Sequence, residues 1–212
     1  LAHVSYAQQP ISSSEISSDL AVSWRSEEIP RKQRALVQRE LADLYCGRPP
    51  KIFQVLSHAL QPHVRPGIGL LEVGCASGYY YEVLEYLLNT RLAYVGVDFS
   101  AAMIRMARSY YPQARFEVAD GAALRFEDGG FPIVVSSGVL LHVQNYAGHI
   151  AEAARVASDI VVLHRTPMYR AAPTAYFKKR AYGVETFELR FNEGELARLC
   201  GQAGLEYLAR YE

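Results

Sequence analysis

The residues with most chemistry in this 212-residue chain lie on one run, Leu70-Leu71-Glu72-Val73-Gly74-Cys75-Ala76-Ser77-Gly78. An apolar stretch enters a loop of small residues, and a helical pattern leaves it at Tyr79. Gly74 and Gly78 permit backbone angles and close approaches that a side chain would block. Without a ligand the same run reads as a plain strand-to-helix turn. A dinucleotide pyrophosphate loop would need glycine at 76 and glycine or alanine at 79; Ala76 and Tyr79 stand there instead. Glu72 would also repel phosphates, and it suits a cationic ligand.

Two more carboxylates follow the ends of apolar runs. Asp98, 26 residues after Glu72, closes Tyr94-Val95-Gly96-Val97-Asp98-Phe99-Ser100. A carboxylate there can accept hydrogen bonds from ribose hydroxyls, or it can cap the helix that follows. Asp120 closes Phe116-Glu117-Val118-Ala119-Asp120-Gly121-Ala122 and reads either as a ligand group or as a turn residue before Gly121. Two histidines and an arginine complete the set. His142 is the first candidate general base, its alternative a half-buried histidine at a helix start. His164 is the second, facing a cleft or packing under the next loop. Arg165 beside it suits carboxylates and phosphates. Cys75 reads as a small loop filler rather than a nucleophile. His3, His58, His63 and His149 have no supporting context.

Positioning these groups requires strands that alternate with helices. The pattern predicts strands at 69–73, 92–97, 115–119, 131–136 and 159–163, the fourth starting only after Pro132. Helices are predicted between them at 79–89, 100–111 and about 146–157. Such alternation implies an α/β fold, a doubly wound and mostly parallel sheet with helices on both faces. Upstream, residues 1–25 read as a loose serine-rich arm, followed by helices at 30–46 and 50–60. Leu36, Val37, Leu41, Leu44 and Tyr45 form the buried face of the first of these helices. The chain is read as one domain, with an N-terminal arm and helices (1–65) acting as a lid on a core (66–212). In the lid, Trp24 is either a cover or a hydrophobic anchor, and Gln33 is a ligand candidate.

The ordered set Glu72-x-Gly74-x-Ala76-x-Gly78, Asp98-Phe99, Asp120-Gly121 and Phe131 through Val143 resembles the motifs of class I, Rossmann-like methyltransferases of the small-molecule kind. Ala76 stands for the usual middle glycine, a mild departure, and Pro132 for an aspartate. The resemblance implies S-adenosyl-L-methionine as cofactor. It places Glu72, Gly74, Cys75, Ala76 and Gly78 at the methionine part, Asp98 at the ribose, and Phe99, Asp120 and Gly121 by the adenine. Ser136 and Ser137 become walls against the transferring methyl, and His142 lies over the mouth of the site. Residues 191–208 resemble the family's late helix and sixth strand. Thr186–Phe191 is a further strand, with an edge position as one option.

The acceptor site is expected mainly from about His164 to Tyr182, read as a long loop opposite the N-terminal helices. Arg165 favours an acidic or sugar-phosphate-like acceptor there. Lys178-Lys179-Arg180 reads more simply as one solvated helix face. Net charge is zero, so nothing favours a nucleic-acid partner. Three scattered cysteines give no metal spacing or disulfide framework and point to a cytoplasmic setting. No apolar run reaches the roughly 20 residues of a membrane span. The function read here is methyl transfer to a small molecule, with oxygen slightly favoured as acceptor atom. Its rivals are a non-catalytic cofactor-binding protein and a protein or RNA methyltransferase.

Overall fold

The computed structural model describes residues 9–211, so the expectations for residues 1–8, His3 among them, lie outside the described residues. From residue 9 the arm is built rather than loose. Strand β1 (Gln9–Ile11) pairs antiparallel with Tyr176–Lys178. Ser12 and Glu15 then form a capping box, and Ser17 caps helix α1 (Ser18–Val22), its side chain accepting from the Leu20 N–H. The serines thus satisfy the amide donors that short helices leave unpaired. Helix α2 (Ile29–Tyr45) carries Pro30 in its first turn and ends before Gly47, which takes φ +76°. It buries Val37, Leu41 and Leu44, while Leu36 and Tyr45, expected on that face, are exposed. Helix α3 (Lys51–Leu60) follows.

The central unit runs β2 (Gly69–Val73), α4 (Tyr79–Leu88), β3 (Ala93–Asp98), α5 (Ala101–Tyr110), β4 (Arg115–Val118), β5 (Phe131–Ser137), α6 (Tyr146–Val156) and β6 (Ala157–His164). All five strands are parallel, in the order β4-β3-β2-β5-β6. The order reverses beside β2, so ligands belong outside the carboxyl ends of β2 and β5. Alternation divides the strand residues between two cores. Leu70, Tyr94, Ile133 and Val135 pack with α2, α3, α4 and α5, whereas Leu71, Val73, Val97 and Val134 pack with α6. Pro132 lies inside β5, not before it. The register to β6 shifts between Phe131 and Ile133, and this irregularity accommodates the missing N–H.

The segment expected as a long loop holds two strands, β7 (Met168–Tyr169) and β8 (Ala175–Ala181). With β9 (Val184–Asn192) and β1 they make a second sheet in the order β1-β8-β9-β7. Thr186–Phe191 therefore joins this sheet rather than an edge of the first. Phe187, Leu189 and Phe191 seal it against Leu140, Leu141 and Ile150. Helix α7 (Glu193–Gln202), capped by Asn192, is the expected late helix. No strand forms over 203–208, where Tyr207 and Leu208 are exposed. Among the described residues no helix is long and apolar enough to cross a membrane.

Candidate active site

The loop after β2 is strapped to the end of β3. The amides of Gly74 and Cys75 both donate to the Val97 carbonyl, at 2.8 and 2.9 Å. The Ala76 N–H donates to Asp98 Oδ2 at 3.0 Å, and the Ser100 N–H to Oδ1 at 2.9 Å. Asp98 is not the cap of α5; Ser100 is, through the Met103 amide. Each Asp98 oxygen keeps a second lone pair for a ligand hydroxyl. Burial pushes its carboxyl up to about 6, against the pull of the two amides.

Gly74 and Gly78 take φ +80° and +75°, and Ala76 takes +49°. The alanine is therefore less mild a departure than its size implies, because it occupies a left-handed conformation that disfavours any Cβ. A Cβ at Gly74 would sit 2.5 Å from Val139 Cβ, and one at Gly78 2.6 Å from Phe116 Cζ. The Cys75 side chain fills the core beside Gly96 with burial raising its pKa, as a loop filler should. All three tyrosines of Tyr79-Tyr80-Tyr81 are buried.

Glu72 is 1% exposed and accepts a hydrogen bond from the Tyr94 hydroxyl. Burial lifts its carboxyl to about 8, with the nearby Asp98 charge adding to the rise and the Tyr94 bond opposing it. Asp120 is exposed, and its Oδ1 accepts from the Ala122 amide at 2.9 Å, so it shapes the turn while facing the cavity. Gly121 lies against His149, whose Nδ1 would be 2.5 Å from a Cβ there. Phe99 lines the cavity with Arg25 over its ring at 5.3 Å.

Ser136 and Ser137 end β5 pointing to opposite faces, and each meets a histidine. Ser136 Oγ lies 2.9 Å from His149 Nε2, and Ser137 Oγ 3.0 Å from His164 Nδ1. His164 Nε2 lies 3.0 Å from the Ile52 carbonyl, so it donates there and Nδ1 accepts from the serine. Both ring nitrogens are thereby engaged, which corrects the expectation of His164 as a base: it ties β6 to α3. His142 differs. It sits in the 3-10 turn Leu140–His142, and its Nδ1–H donates to the Phe187 carbonyl at 2.8 Å. That bond fixes the tautomer and leaves Nε2 as the lone-pair nitrogen. Trp24 lies against the ring at 4.6 Å, and burial lowers the pKa of His142 to about 4.

These groups converge on one cavity of about 1750 Å³. From the ends of β2, β3 and β4 and the turns after them, its lining takes Glu72, Gly74, Ala76, Asp98, Phe99 and Asp120. Other elements add Trp24, Gln33, Leu36, His142, Arg165, Lys179 and Tyr182 to the lining. Arg165 takes φ +56°, and its Cδ and Nε lie 3.6 Å from where a Gly138 Cβ would be, so it packs at the cavity wall. Lys178, Lys179 and Arg180 lie on a strand, not a helix face, so their side chains alternate. Lys179 pairs with Glu188 toward the cavity, and Lys178 pairs with Glu185. Sequence reasoning gave no role to His149, Tyr94 or Glu188: Tyr94 opens the run that leads to Asp98, where it reads only as a strand residue, and the other two stand in no recognisable motif. Two carboxylates without a cation partner among the described residues, a tight loop and a third carboxylate beyond them fit a ligand with a cationic end and ribose hydroxyls.

Comparison with known proteins agrees with that donor set. Residues 71–160 match the family model described as a methyltransferase domain. A probable tRNA methyltransferase 9B of Bos taurus is 30% identical over 131 residues, 57% of this chain and 27% of its own length. The chain thus spans about a quarter of the length of the first curated relatives it matches. A probable S-adenosylmethionine-dependent methyltransferase of Mycolicibacterium smegmatis is 26% identical over 157 residues, 73% of this chain and 56% of its own. In fold, the chain is similar to the 1,6-didemethyltoxoflavin-N1-methyltransferase of Burkholderia thailandensis, with TM-score 0.63 and 17% identity over 96% of this chain and 86% of the other. That structure has 1,6-didemethyltoxoflavin and S-adenosylhomocysteine bound. Motifs, sheet order and family match agree: residues 71–160 carry a methyltransferase domain, on a fold similar to that of S-adenosylmethionine-dependent methyltransferases.

Proposed function

We propose that this protein transfers a methyl group from S-adenosylmethionine to an oxygen of a small-molecule acceptor, with His142 as general base. The observation that carries this reading is the His142 ring, held by the Phe187 carbonyl so that Nε2 is the free nitrogen of a cavity that also contains the glycine loop. When bound, the cofactor supplies an electrophilic methyl on a sulfonium. The chain's part is to hold and orient. Glu72 and the loop from Gly74 to Gly78 receive the methionine end, Asp98 the ribose, and Phe99, Asp120 and Gly121 the adenine. Ser137, fixed by His164, walls the methyl; Ser136, expected beside it, is instead fully buried against His149 on the other face of the sheet and does not line the cavity. Such positioning can contribute roughly 7–11 kcal/mol. His142 Nε2 takes the acceptor's hydroxyl proton as the oxygen forms its bond to carbon and the carbon–sulfur bond breaks.

The acceptor is held between α2 with its preceding arm, acting as a lid, and the β8–β9 hairpin. Arg165 and Lys179 on that wall favour an acidic or sugar-phosphate-like molecule. The free cysteines Cys46, Cys75 and Cys200 support a cytoplasmic setting. The test measures methyl transfer to hydroxylated and carboxylated small molecules, with tRNA as a parallel acceptor. The expected result is turnover on a small molecule, lowered roughly 10²–10⁴-fold in His142→Gln with cofactor affinity unchanged. Methylation of tRNA alone, cofactor binding without turnover, or full activity in His142→Gln would each refute the reading.

A further inference from the structure

The Glu72 carboxyl has an unusual setting for a group meant to meet a cation. It is 1% exposed, at the end of the central strand β2, with Val135 of β5 and Gly96 of β3 as its register neighbours. No arginine, lysine or histidine pairs with it among the described residues. Its one side-chain partner is the hydroxyl of Tyr94, itself 4% exposed and packed edge-on against Tyr81 and Phe116. Tyr94 is outside the cavity, whereas Glu72 lines it. The titratable groups facing Glu72 are Tyr94 and Asp98 from β3, Cys75 from the loop, and Tyr79 and Tyr80 from α4. None is a cation.

We propose that Tyr94 is a positioning residue of the cofactor site: its hydroxyl orients the buried Glu72 carboxyl toward the positively charged methionine end of the ligand and favours its anionic form. The proposal rests on S-adenosylmethionine as the cofactor. Three features support it. The tyrosine ring is clamped by aromatic neighbours, so its hydroxyl is a fixed donor. The bond goes to a carboxylate oxygen, and a donor there stabilises the anion. The carboxyl otherwise has only burial and the neighbouring Asp98 charge around it, both of which favour the protonated form. An arriving cation tips that balance, so binding releases the Glu72 proton. A ligand without positive charge gains nothing from it.

The experiment is calorimetric titration of the full chain with S-adenosylmethionine and with neutral 5′-methylthioadenosine. It is run in two buffers of different ionisation enthalpy between about pH 6.5 and 7.5, below the range where a free α-ammonium loses its proton. In the wild-type protein, S-adenosylmethionine affinity should rise with pH across this window, with net proton release. Tyr94→Phe should weaken S-adenosylmethionine about tenfold or more, move the rise to higher pH, and leave 5′-methylthioadenosine affinity unchanged. In a Glu72→Gln background the same substitution should add no further loss. Equal weakening of both ligands would show that Tyr94 merely packs and would overturn the proposal. Unchanged S-adenosylmethionine affinity, or the same loss with Gln at position 72, would overturn it too. A wild-type protein that binds neither adenosyl compound would instead overturn the cofactor assignment beneath it.

Discussion

The glycine loop permits a prediction in which one methyl group has opposite signs at alternate positions. Ala76 takes φ +49°, a left-handed conformation that costs a non-glycine residue about 1–2 kcal/mol. Ala76→Gly removes that strain but loosens the unfolded chain, which costs about 0.4–1 kcal/mol. The net expectation is a stabilisation of about 0.5–1 kcal/mol, or roughly 1–4 °C in Tm for a chain of this size. The amide bond from residue 76 to Asp98 Oδ2 survives the change, so cofactor affinity should hold. At Gly74 the φ of +80° imposes a similar strain, and the new Cβ would lie 2.5 Å from Val139 Cβ and 2.8 Å from its Cγ1. Overpacking typically adds about 1–3 kcal/mol, so Gly74→Ala should destabilise by about 2–4 kcal/mol and weaken cofactor binding. Thermal unfolding and calorimetric titration of the two variants measure both quantities. A clear destabilisation by Ala76→Gly, or wild-type stability in Gly74→Ala, would refute the backbone argument.

Two further outcomes follow from the site's electrostatics. His142, His149 and His164 titrate at about 4 in the folded protein, below their ordinary 6.5, so the unfolded chain protonates first and their stability is lost as pH falls from 6.5 to 4. Glu72 at about 8 and Asp98 at about 6 act oppositely, holding protons in the fold, so each lowers stability as pH rises to its folded value. Three histidines against two carboxyls place maximal ligand-free stability near pH 6.5, with up to about 1.4 kcal/mol lost per unit above it through Glu72; Tm rising between pH 6.5 and 8 would contradict this. On β8, Lys178→Ala should change stability by less than about 1 kcal/mol. Lys179→Ala should lower Tm more and weaken acceptor binding, because Glu188, 14% exposed, loses its cation; equal effects of the two lysines in thermal melts would show that the strand's alternation does not separate them.

The parallel sheet was legible because its central strands β2, β3 and β5 are apolar runs with both faces buried. The 69–73 expectation and β2 coincide, and the other four strands differ by one or two residues at an end. The carboxyl ends of these strands fix where Glu72, Asp98 and Asp120 stand, so the order of the three carboxylates along the sheet edge was legible too. Elements that depend on distant partners were not legible. Ala175–Ala181 carries Lys178-Lys179-Arg180 and shows no strand-like alternation of apolar residues; it is a strand because β1 and β9 pair with it on either side. The serine arm looked loose because its order comes from caps and from that same pairing. His164 looked available because its two partners, Ser137 and Ile52, lie 27 and 112 residues away.

This division of legibility follows the division of labour in the site. The family match ends at residue 160, covering the glycine loop and the strand ends that carry Glu72, Asp98 and Asp120. Backbone demands dominate that half: three positive φ angles in one loop and amides bonded to a neighbouring carboxylate and carbonyl. Such demands restrict residue types, so they leave a readable pattern. Apart from His142, the lining groups that other elements add lie outside the match: Trp24 and Gln33 before it, Arg165, Lys179 and Tyr182 after it. Trp24 is 118 residues from the histidine it covers and 158 from Tyr182, yet the three rings form one cluster at 4.6 and 5.7 Å. Here side chains, not backbone angles, shape the surface, and a side chain can change without disturbing the sheet. The match therefore carries the backbone-constrained loop and strand ends, while the Trp24–His142–Tyr182 cluster depends on side chains drawn from within it and from both sides of it.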